Sequence, residues 1–285
     1  MAYENLIPSS ATRPVAPATL MAKMSKLIML LELNVSFSTW LLIGACLQAT
    51  LVLLLPPMYA LTPAAILLAL RFLDTLLLTT GIRSNFYMRG SFPGKSNAQV
   101  YNEKGELVKA GQEKIAVFLL GAKTNHPLGM FAPGFSTVDT VVELMTAELQ
   151  PGQNQDSGFL GQTVYSRKDG NAAGELLFIS YWRSMDDVHD YATTATHRMA
   201  VDWWVKNAKT YPHIAFWHEV YEADKGQWEN IYVNHEPIGL GATTFLKKDG
   251  KLANGSVGAE WINPILDANK GPLRTAAGRR GLGGK

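Results

Sequence analysis

Residues 115–120 read IAVFLL, an uninterrupted apolar run with the length of a buried β-strand. Residues 136–149 follow with apolar side chains at helical spacing, namely Val138, Val141, Val142, Met145 and Leu149. Side chains three and four positions apart share one face of a helix, so this segment is expected to pack against the strand. The domain therefore begins with a strand that is followed by an amphipathic helix.

The order of the following segments predicts the fold of residues 113–241. Strands are expected at 159–166 (FLGQTVYS) and 176–181 (LLFISY), then two helices that begin near Ser184 and His197, then strands at 213–221 (HIAFWHEVY) and 228–234 (WENIYVN). Strand, helix, strand, strand, helix and strand is the order of a ferredoxin-like domain. We therefore expect an α+β domain with a ferredoxin-like α/β-barrel fold and one additional C-terminal strand.

The apolar strands also predict self-association. Helices cover only one face of a ferredoxin-like sheet, whereas a continuous run such as LLFISY is typical of a strand that is covered on both faces. A second copy of the domain can cover the other face, sheet against sheet. The sequence therefore predicts a homodimer.

Two long apolar segments lie upstream of this domain. Residues 36–55 carry no charge, and the hydrocarbon core of a bilayer, roughly 30 Å thick, needs about 20 such residues in a helix. The second segment, residues 57–80, contains Arg71 and Asp74 on one helix face, where they can pair with each other. A Pro-Pro pair separates the two helices. We expect residues 26–90 to form a transmembrane helical hairpin.

Basic residues flank the hairpin on both sides, which favours a topology with both ends in the cytosol. The ferredoxin-like domain should then face the cytosol from a membrane, which we expect to be the endoplasmic reticulum. A monotopic hairpin that enters one leaflet is an open alternative. The remaining segments lack strong periodicity, and we expect a polar tail over 1–25, a linker over 91–112 and a loose tail over 242–285.

Composition and motifs exclude several classes of protein. The net charge of +2 does not favour nucleic acid as a partner. Cys46 is the single cysteine, so neither a disulfide nor a cysteine metal site can form within the chain. The sequence contains no GxGxxG, HExxH or GxSxG motif, which leaves a nucleotide cofactor, a non-haem metal and an acyl-enzyme without support. No cofactor is therefore predicted.

Five short motifs occur in an order that resembles a known superfamily. They are YWRS at 181–184, THR at 196–198, WHE at 217–219, YVN at 232–234 and GLG at 239–241. They resemble the dimeric α/β-barrel monooxygenase superfamily, and most closely its monooxygenase-like branch of bacterial and fungal proteins. The resemblance spans residues 115–241. It implies a dimer with a pocket between sheet and helices, and either cofactor-free oxidation of polycyclic substrates, haem degradation or a non-oxidative reaction.

Two histidines are candidate catalytic residues. His197 shares a helix face with apolar side chains, including Trp204, and an imidazole in such a place can act as a general base near neutral pH. His218 alternates with apolar residues along its strand and would be the polar group on that face. The alternative for His197 is a buried histidine bonded to a carbonyl. The alternative for His218 is a structural place in the dimer interface.

Six further residues are candidate substrate-binding residues: Trp182, Arg183, Trp204, Trp217, Asn230 and Tyr232. The three tryptophans are expected to form an apolar aromatic slot, and the arginine can hold an acidic or phenolate substrate. The asparagine and tyrosine share a strand face and can donate hydrogen bonds to an oxygen that gains negative charge. The alternatives are core or interface positions for the aromatic residues and an exposed position for the arginine.

Together these features predict a membrane-anchored tailoring enzyme whose hydrophobic substrate, of polyketide or terpenoid type, is concentrated in the lipid phase. A cofactor-free monooxygenase is the leading hypothesis. The alternatives are a cyclase, dehydratase or isomerase, a haem-binding protein, and a membrane-bound carrier of a lipophilic intermediate. The sequence leaves open the identity of the substrate and the choice between the two histidines.

Overall fold

The computed structural model describes residues 3–14, 28, 30–149, 157–167, 174–251 and 257–282. The chain divides into two compact units, and each is described by itself: Val35–Ser91, and Met1–Asn34 together with Phe92–Lys285. The first unit contains the two long apolar segments, and the second contains the segments from which the ferredoxin-like domain was predicted.

The unit Val35–Ser91 consists mainly of two long helices, α1 (Phe37–Leu54) and α2 (Pro57–Thr79). Both helices are long and apolar enough to cross a membrane. The side chain of Ser36 caps α1, and a proline occupies the first position of α2, where its missing N–H costs nothing. The two helices therefore begin where the sequence provides their start signals.

Polar side chains within this unit find partners inside it. The Gln48 side chain of α1 donates a hydrogen bond to the Ala60 carbonyl of α2 at 3.1 Å, which links the two helices. Asp74 forms an ion pair with Arg83, beyond the end of α2. The helical spacing suggested that Asp74 pairs with Arg71. In the structure Asp74 pairs instead with Arg83.

The second unit contains a series of strands and helices. The strands are β1 Lys95–Ala98, β2 Ile115–Thr124, β3 Phe159–Arg167, β4 Glu175–Trp182, β5 Ile214–Ala223, β6 Tyr232–Val233, β7 Phe245–Lys251, β8 Val257–Ile262 and β9 Ile265–Asp267. The helices are α3 Phe135–Glu148, α4 Met185–Ala192, α5 Ala195–Asn207 and the short α6 Ala276–Arg279.

Strands β2 to β5 form one antiparallel sheet, here called the main sheet, in the order β3-β4-β2-β5. Helix α3 connects β2 to β3, and helices α4 and α5 connect β4 to β5. Helix α4 begins where the sequence predicts, because the Ser184 hydroxyl accepts a hydrogen bond from the Asp187 N–H at 3.2 Å. The predicted ferredoxin-like order is confirmed.

The three helices cover one face of the main sheet. Val188 of α4 packs with Ala116 of β2 and Trp182 of β4, and Val138 of α3 packs with Ile214 of β5. Because side chains alternate between the two faces of a strand, the even-numbered residues of β2, β4 and β5 point toward these helices. The register of the main sheet therefore determines which residues line the space beneath the helices.

The segments expected to form a linker and a loose tail are folded. Strand β1, within the expected linker 91–112, lies between β6 and β9 in a three-stranded sheet, and β7 pairs with β8 within the expected tail 242–285. The additional strand expected at 228–234 is limited to β6, which pairs with β1 and not with the main sheet. These three segments therefore build a second layer of structure from parts of the chain that looked irregular.

The N-terminal segment, expected to be a polar tail over 1–25, also joins this layer where it is described. Asn5 forms a β-bridge with Leu266, and Ser10 forms one with Trp261. The pairing is extended by hydrogen bonds of the Leu6 N–H with the Ile265 carbonyl and of the Ser10 N–H with the Trp261 carbonyl. The start and the end of the chain are therefore paired in one unit.

Buried amides explain why a polar segment folds here. Asn97 and Gln99 are both fully buried. The Gln99 side chain donates to the Asn97 side-chain oxygen at 2.6 Å and to the Arg279 carbonyl at 3.1 Å, and it accepts from the Gly111 N–H at 2.7 Å. A polar side chain can be buried at low cost when its hydrogen bonds are made. One partner, Arg279, lies 180 residues away in sequence, so composition alone indicated a linker.

Arg13 fixes the N-terminal segment to the main sheet. Its guanidinium donates hydrogen bonds to the carbonyls of Leu149 (3.3 Å), Phe159 (3.0 Å) and Leu160 (2.7 Å) and to the Thr244 hydroxyl (2.6 Å). It also lies over the aromatic rings of Phe159 and Trp261, at 5.4 Å and 4.9 Å from their centroids. Burial lowers the pKa of Arg13 to about 10, so the side chain is still charged at neutral pH.

Replacement of Arg13 by methionine is expected to lower the free energy of unfolding by about 3 kcal/mol, because several buried carbonyls lose their donor. Urea unfolding of the full chain in detergent, followed by tryptophan fluorescence, measures the difference. Arg274 is exposed and provides the matched control. Arg274→Met should change the same quantity by no more than about 0.5 kcal/mol, and equal losses in the two variants would contradict the role given to Arg13.

Candidate functional site

A cavity of about 550 Å³ lies between the main sheet and the helices that cover it. Its sheet wall includes Phe118, Leu120, Phe178, Phe216, His218 and Val220. Its helix wall includes Val138, Val142, Met145, His197, Val201 and Trp204. An apolar cavity of this size with few polar groups has the character of a small-molecule site.

Four of the residues predicted from the sequence lie in the wall of this cavity: Trp182, Trp204, His197 and His218. The Trp182 indole N–H donates to the Ser180 hydroxyl at 2.9 Å, which satisfies its buried donor. The Trp204 ring meets Phe216 edge to face, with centroids 5.1 Å apart. The structure therefore brings both predicted histidines and two predicted tryptophans to one apolar space.

His197 lies in the first turn of α5. The helix begins at Thr194, whose hydroxyl accepts a hydrogen bond from the His197 N–H at 3.3 Å. The ring nitrogen Nδ1 of His197 is buried and has no hydrogen-bond partner among the residues that the structure describes. Buried polar atoms are normally paired, so this nitrogen is available to a molecule that occupies the cavity.

The surroundings of His197 lower its pKa below the ordinary value of 6.5. Burial is the largest cause, and a hydrogen bond with the backbone of Ala192 opposes it, which agrees in part with the alternative of a histidine bonded to a carbonyl. The charge of His218 lowers the pKa further, whereas the charge of Glu148 raises it. The imidazole is therefore mainly neutral at neutral pH, which is the form that can accept a proton.

His218 occupies the sheet wall of the same cavity. Its ring stacks on Phe118, with centroids 5.5 Å apart and planes at 20°. It is more exposed than His197. Because His218 faces the helices, it lies away from the sheet face that was expected to meet a second copy. The predicted alternative, a structural role in a dimer interface, does not fit this orientation.

Trp217 and Arg183 lie outside the cavity lining. Trp217 follows the alternation of β5 and points to the opposite face from His218, where its indole N–H donates to the Glu175 carboxylate at 2.6 Å. Arg183 forms an ion pair with Asp187 at 3.1 Å, four positions later on α4. Trp217 was expected to line the aromatic slot and Arg183 to bind an acidic substrate, and the structure corrects both expectations. Each side chain is directed to a protein carboxylate.

Asn230 and Tyr232 are engaged in structural contacts with the second layer. The Asn230 side chain accepts from the Ala98 N–H at 2.7 Å and donates to the Ala98 carbonyl at 2.8 Å, so it continues the pairing of β1. The Tyr232 hydroxyl accepts from the Gly241 N–H at 3.0 Å. Burial raises the pKa of Tyr232 to about 12. The expectation that this pair holds an oxyanion is corrected, because neither residue lines the cavity.

Five polar residues of the cavity were missed in the sequence: Thr146, Gln162, Ser180, His189 and Tyr191. Tyr191 lies three positions after Val188 in α4, so the helical spacing already contained this signal. Gln162 carried none, because the pairing of β3 shifts register near its start and the strand alternation changes there. A bulge of this kind moves a polar side chain to the inner face without any change in composition.

Within the described part of the chain, no group of three or more His, Cys, Asp or Glu side chains is placed to hold a metal ion. The titratable groups of the cavity are instead three imidazoles, those of His189, His197 and His218, and the phenol of Tyr191. Burial and the charge of Glu148 raise the pKa of Tyr191, so this phenol is neutral at neutral pH. The arrangement is suited to proton transfer in an apolar environment.

Comparison with known proteins identifies relatives of this chain. Residues 115–240 match the model of a family described as "Monooxygenase af470-like". A relative from Aspergillus fumigatus, "Monooxygenase af470", is 27% identical over 246 residues, which is 86% of this chain and 86% of the relative. The resemblance to a monooxygenase family that the five motifs indicated is confirmed. The alignment of 246 residues is longer than the ferredoxin-like domain, so the similarity extends beyond that domain.

Solved structures show only weak similarity. SnoaB, a cofactor-independent oxygenase from Streptomyces nogalater, is 12% identical with a TM-score of 0.27 and covers 39% of this chain and 93% of its own. An aldoxime dehydratase is 12% identical with a TM-score of 0.35, and the match covers 50% of this chain and 36% of the dehydratase. This chain thus spans about a third of the dehydratase.

The proximity of the two imidazoles predicts how the pKa of His197 changes when His218 is replaced. His218→Asn removes a positive charge that opposes protonation, so the pKa of His197 should rise toward 6.5 and its titration should move to higher pH. Histidine-labelled protein in detergent allows NMR to follow the His197 signals against pH. His235 is exposed and outside the cavity lining. His235→Asn should leave the curve in place, and a downward shift in His218→Asn would contradict the arrangement.

Proposed function

We propose, from the match of residues 115–240 to a monooxygenase family, that this chain is a cofactor-free monooxygenase acting on a hydrophobic substrate of polyketide or terpenoid type. One observation carries the proposal: the buried Nδ1 of His197 has no partner among the described residues and lies in the wall of an apolar aromatic cavity. A neutral imidazole in that position can remove a proton from a bound phenol or enol.

The proposed reaction needs dioxygen as its only co-reactant. His197 removes a proton from the substrate, and the resulting carbanion or enolate gives its electrons to dioxygen, so that a carbon–oxygen bond forms and a peroxide results. The imidazolium returns the proton to the peroxide. The remaining C–H bond of the oxygenated carbon and the O–O bond then break, water leaves, and a carbonyl group remains. One oxygen atom enters the product, the other leaves as water, and the substrate supplies all the electrons.

The anion formed in this reaction needs a hydrogen-bond donor. Asn230 and Tyr232 are engaged elsewhere, and the Tyr191 hydroxyl donates to the Met145 carbonyl at 3.2 Å. Gln162 lines the cavity and carries two amide N–H donors. We therefore assign the stabilisation of the oxyanion to Gln162.

The aromatic wall supports a reaction that must exclude water. Phe118, Trp182, Trp204 and Phe216 surround the two imidazoles with apolar surface. An apolar environment strengthens the few polar contacts and protects a peroxide from side reactions. It also favours a flat, hydrophobic substrate over a polar one.

A haem-binding role receives less support from the cavity. Either His197 or His218 could ligate the iron, but haem also carries two propionate groups. Among the described residues that line the cavity, there is no lysine or arginine to pair with them. The absorption spectrum of the purified protein with added haem tests this alternative directly, since an imidazole-ligated haem gives a shifted Soret band.

The apolar hairpin supports a membrane location for the enzyme. Helices α1 and α2 are both long and apolar enough to span, and a hydrophobic substrate partitions into the lipid phase, where the enzyme would meet it. We propose that the hairpin inserts in the endoplasmic reticulum membrane and that the ferredoxin-like domain faces the cytosol. The basic residues on both flanks support this orientation.

The second layer covers only part of the sheet face opposite the helices, and the part left open supports a homodimer. It presents Val117, Leu119 and Ile179, and it exposes the large side chains of Trp217 (41%) and Tyr221 (57%). An apolar surface of this kind favours association, and a second copy provides a complementary one. We propose that two copies pair through this face and leave their cavities separate.

Replacement of His197 by alanine is expected to lower the rate of substrate-dependent oxygen uptake by at least about 100-fold, because the proton acceptor is lost. An oxygen electrode with a panel of polycyclic phenols and enols measures the rate. His235→Ala serves as the matched control and should retain the activity of the parent chain. Full activity in His197→Ala would remove His197 as the base, and product formation without oxygen uptake would replace the monooxygenase with a cyclase or isomerase.

The hairpin predicts resistance to alkaline carbonate extraction. The full chain should remain in the membrane pellet, because burial of two apolar helices outweighs the loss of peripheral contacts. The double variant Leu47→Arg and Leu51→Arg places two charges in α1 and should shift the chain to the supernatant. The control is the double variant Lys104→Arg and Lys109→Arg, which introduces two arginines at exposed positions outside α1. Extraction of the unmodified chain would contradict membrane insertion.

A further inference from the structure

Glu148 is linked to His197 through one hydroxyl group. It is the last residue of α3 and is half-buried. Its carboxylate accepts a hydrogen bond from the Thr194 hydroxyl at 3.4 Å. The same hydroxyl accepts from the backbone N–H of His197 at 3.3 Å and caps α5, so the carboxylate lies at the first turn of the helix that carries the His197 ring. The sequence pattern gave no signal for this contact, because the two residues belong to different helices.

Tyr191 lies beside the His197 ring. Its ring meets the His197 ring edge to face, with centroids 5.9 Å apart and planes at 70°. The titratable groups near His197 are therefore Tyr191 and His189 from α4 and His218 from β5, which line the cavity, and Glu148 from α3, which lies outside the lining. Among these described groups, Glu148 is the one carboxylic acid.

We propose that Glu148 is a positioning residue for the reaction, and that its carboxylate stabilises the imidazolium formed when His197 accepts the substrate proton. The inference rests on the proposed function, in which His197 is the base. A base in an apolar cavity must hold a positive charge between proton uptake and proton return. A carboxylate on a neighbouring helix stabilises that charge without contact with the substrate.

Only one proton moves in this step. The proton leaves the substrate, resides on His197 while the substrate anion reacts with dioxygen, and returns to the peroxide oxygen. Glu148 neither gains nor loses a proton in this sequence. Its effect is to make the neutral imidazole a stronger base than burial alone would allow, since burial and His218 both disfavour the charged form.

The test is Glu148→Gln in the full chain, because glutamine keeps the acceptor oxygen for Thr194 and removes only the charge. The pKa of His197, measured by NMR titration, should fall, which is opposite to the shift expected for His218→Asn. The acid limb of the pH profile for kcat/KM should move to lower pH with it. At neutral pH, kcat should fall severalfold, because a weaker base removes the substrate proton more slowly. Glu148→Asp should restore most of the pKa and of kcat.

Glu143, on the exposed side of the same helix, provides the matched control, and Glu143→Gln should leave the pKa of His197 and kcat unchanged. An unchanged pKa of His197 in Glu148→Gln overturns the inference, as does an equal shift in both variants. A lowered pKa with unchanged kcat overturns the catalytic part of the inference. Loss of activity in His197→Ala, measured separately, decides whether that failure also extends to the proposed function.

Discussion

The antiparallel pairing of β2 with β4 on one side and β5 on the other decides what the cavity is made of. Its register sets Leu120 opposite both Phe178 and His218, so all three point to the same face. A shift by one residue would turn them to the uncovered face and bring Trp217 beneath the helices. Gly121 is the residue that this register requires opposite Trp217, because a Cβ at that position would collide with the Trp217 indole.

The properties of His197 follow from this packing. The same apolar surroundings that leave its Nδ1 without a described partner also disfavour its protonation, so one physical cause gives both an available nitrogen and a neutral ring. The opposing charges of His218 and Glu148 then adjust the balance from two different elements. A site of this kind depends on the distance between a sheet and a helix more than on any single residue.

The sequence was sufficient for the features that repeat locally. The order of strands and helices, the start of α4 at Ser184 and the shared face of His197 and Trp204 are all properties of short segments, and all of them are found in the structure. Strand alternation also separated His218 from Trp217 correctly, although it could not tell which of the two faces the helices would cover.

The sequence was insufficient where pairing is long-range. Asn230 looked like a hydrogen-bond donor for a substrate, yet its amide is used to continue β1, a strand more than a hundred residues earlier. The segment 91–112 looked like a linker because it is polar and interrupted by Pro and Gly, and only the buried hydrogen-bond partners of Asn97 and Gln99 reveal the opposite. The register shift in β3 hid Gln162 in the same way.

The pairing of the chain ends constrains how the hairpin can meet a membrane. Residues 3–14 precede α1, and they pair with β8 and β9, which follow α2 by more than 170 residues. Two segments that share a sheet lie on the same side of any bilayer, so the chain between them can cross it only an even number of times. A single crossing by α1 alone would separate Asn5 from Leu266. Two crossings, or a hairpin within one leaflet, both preserve the pairing.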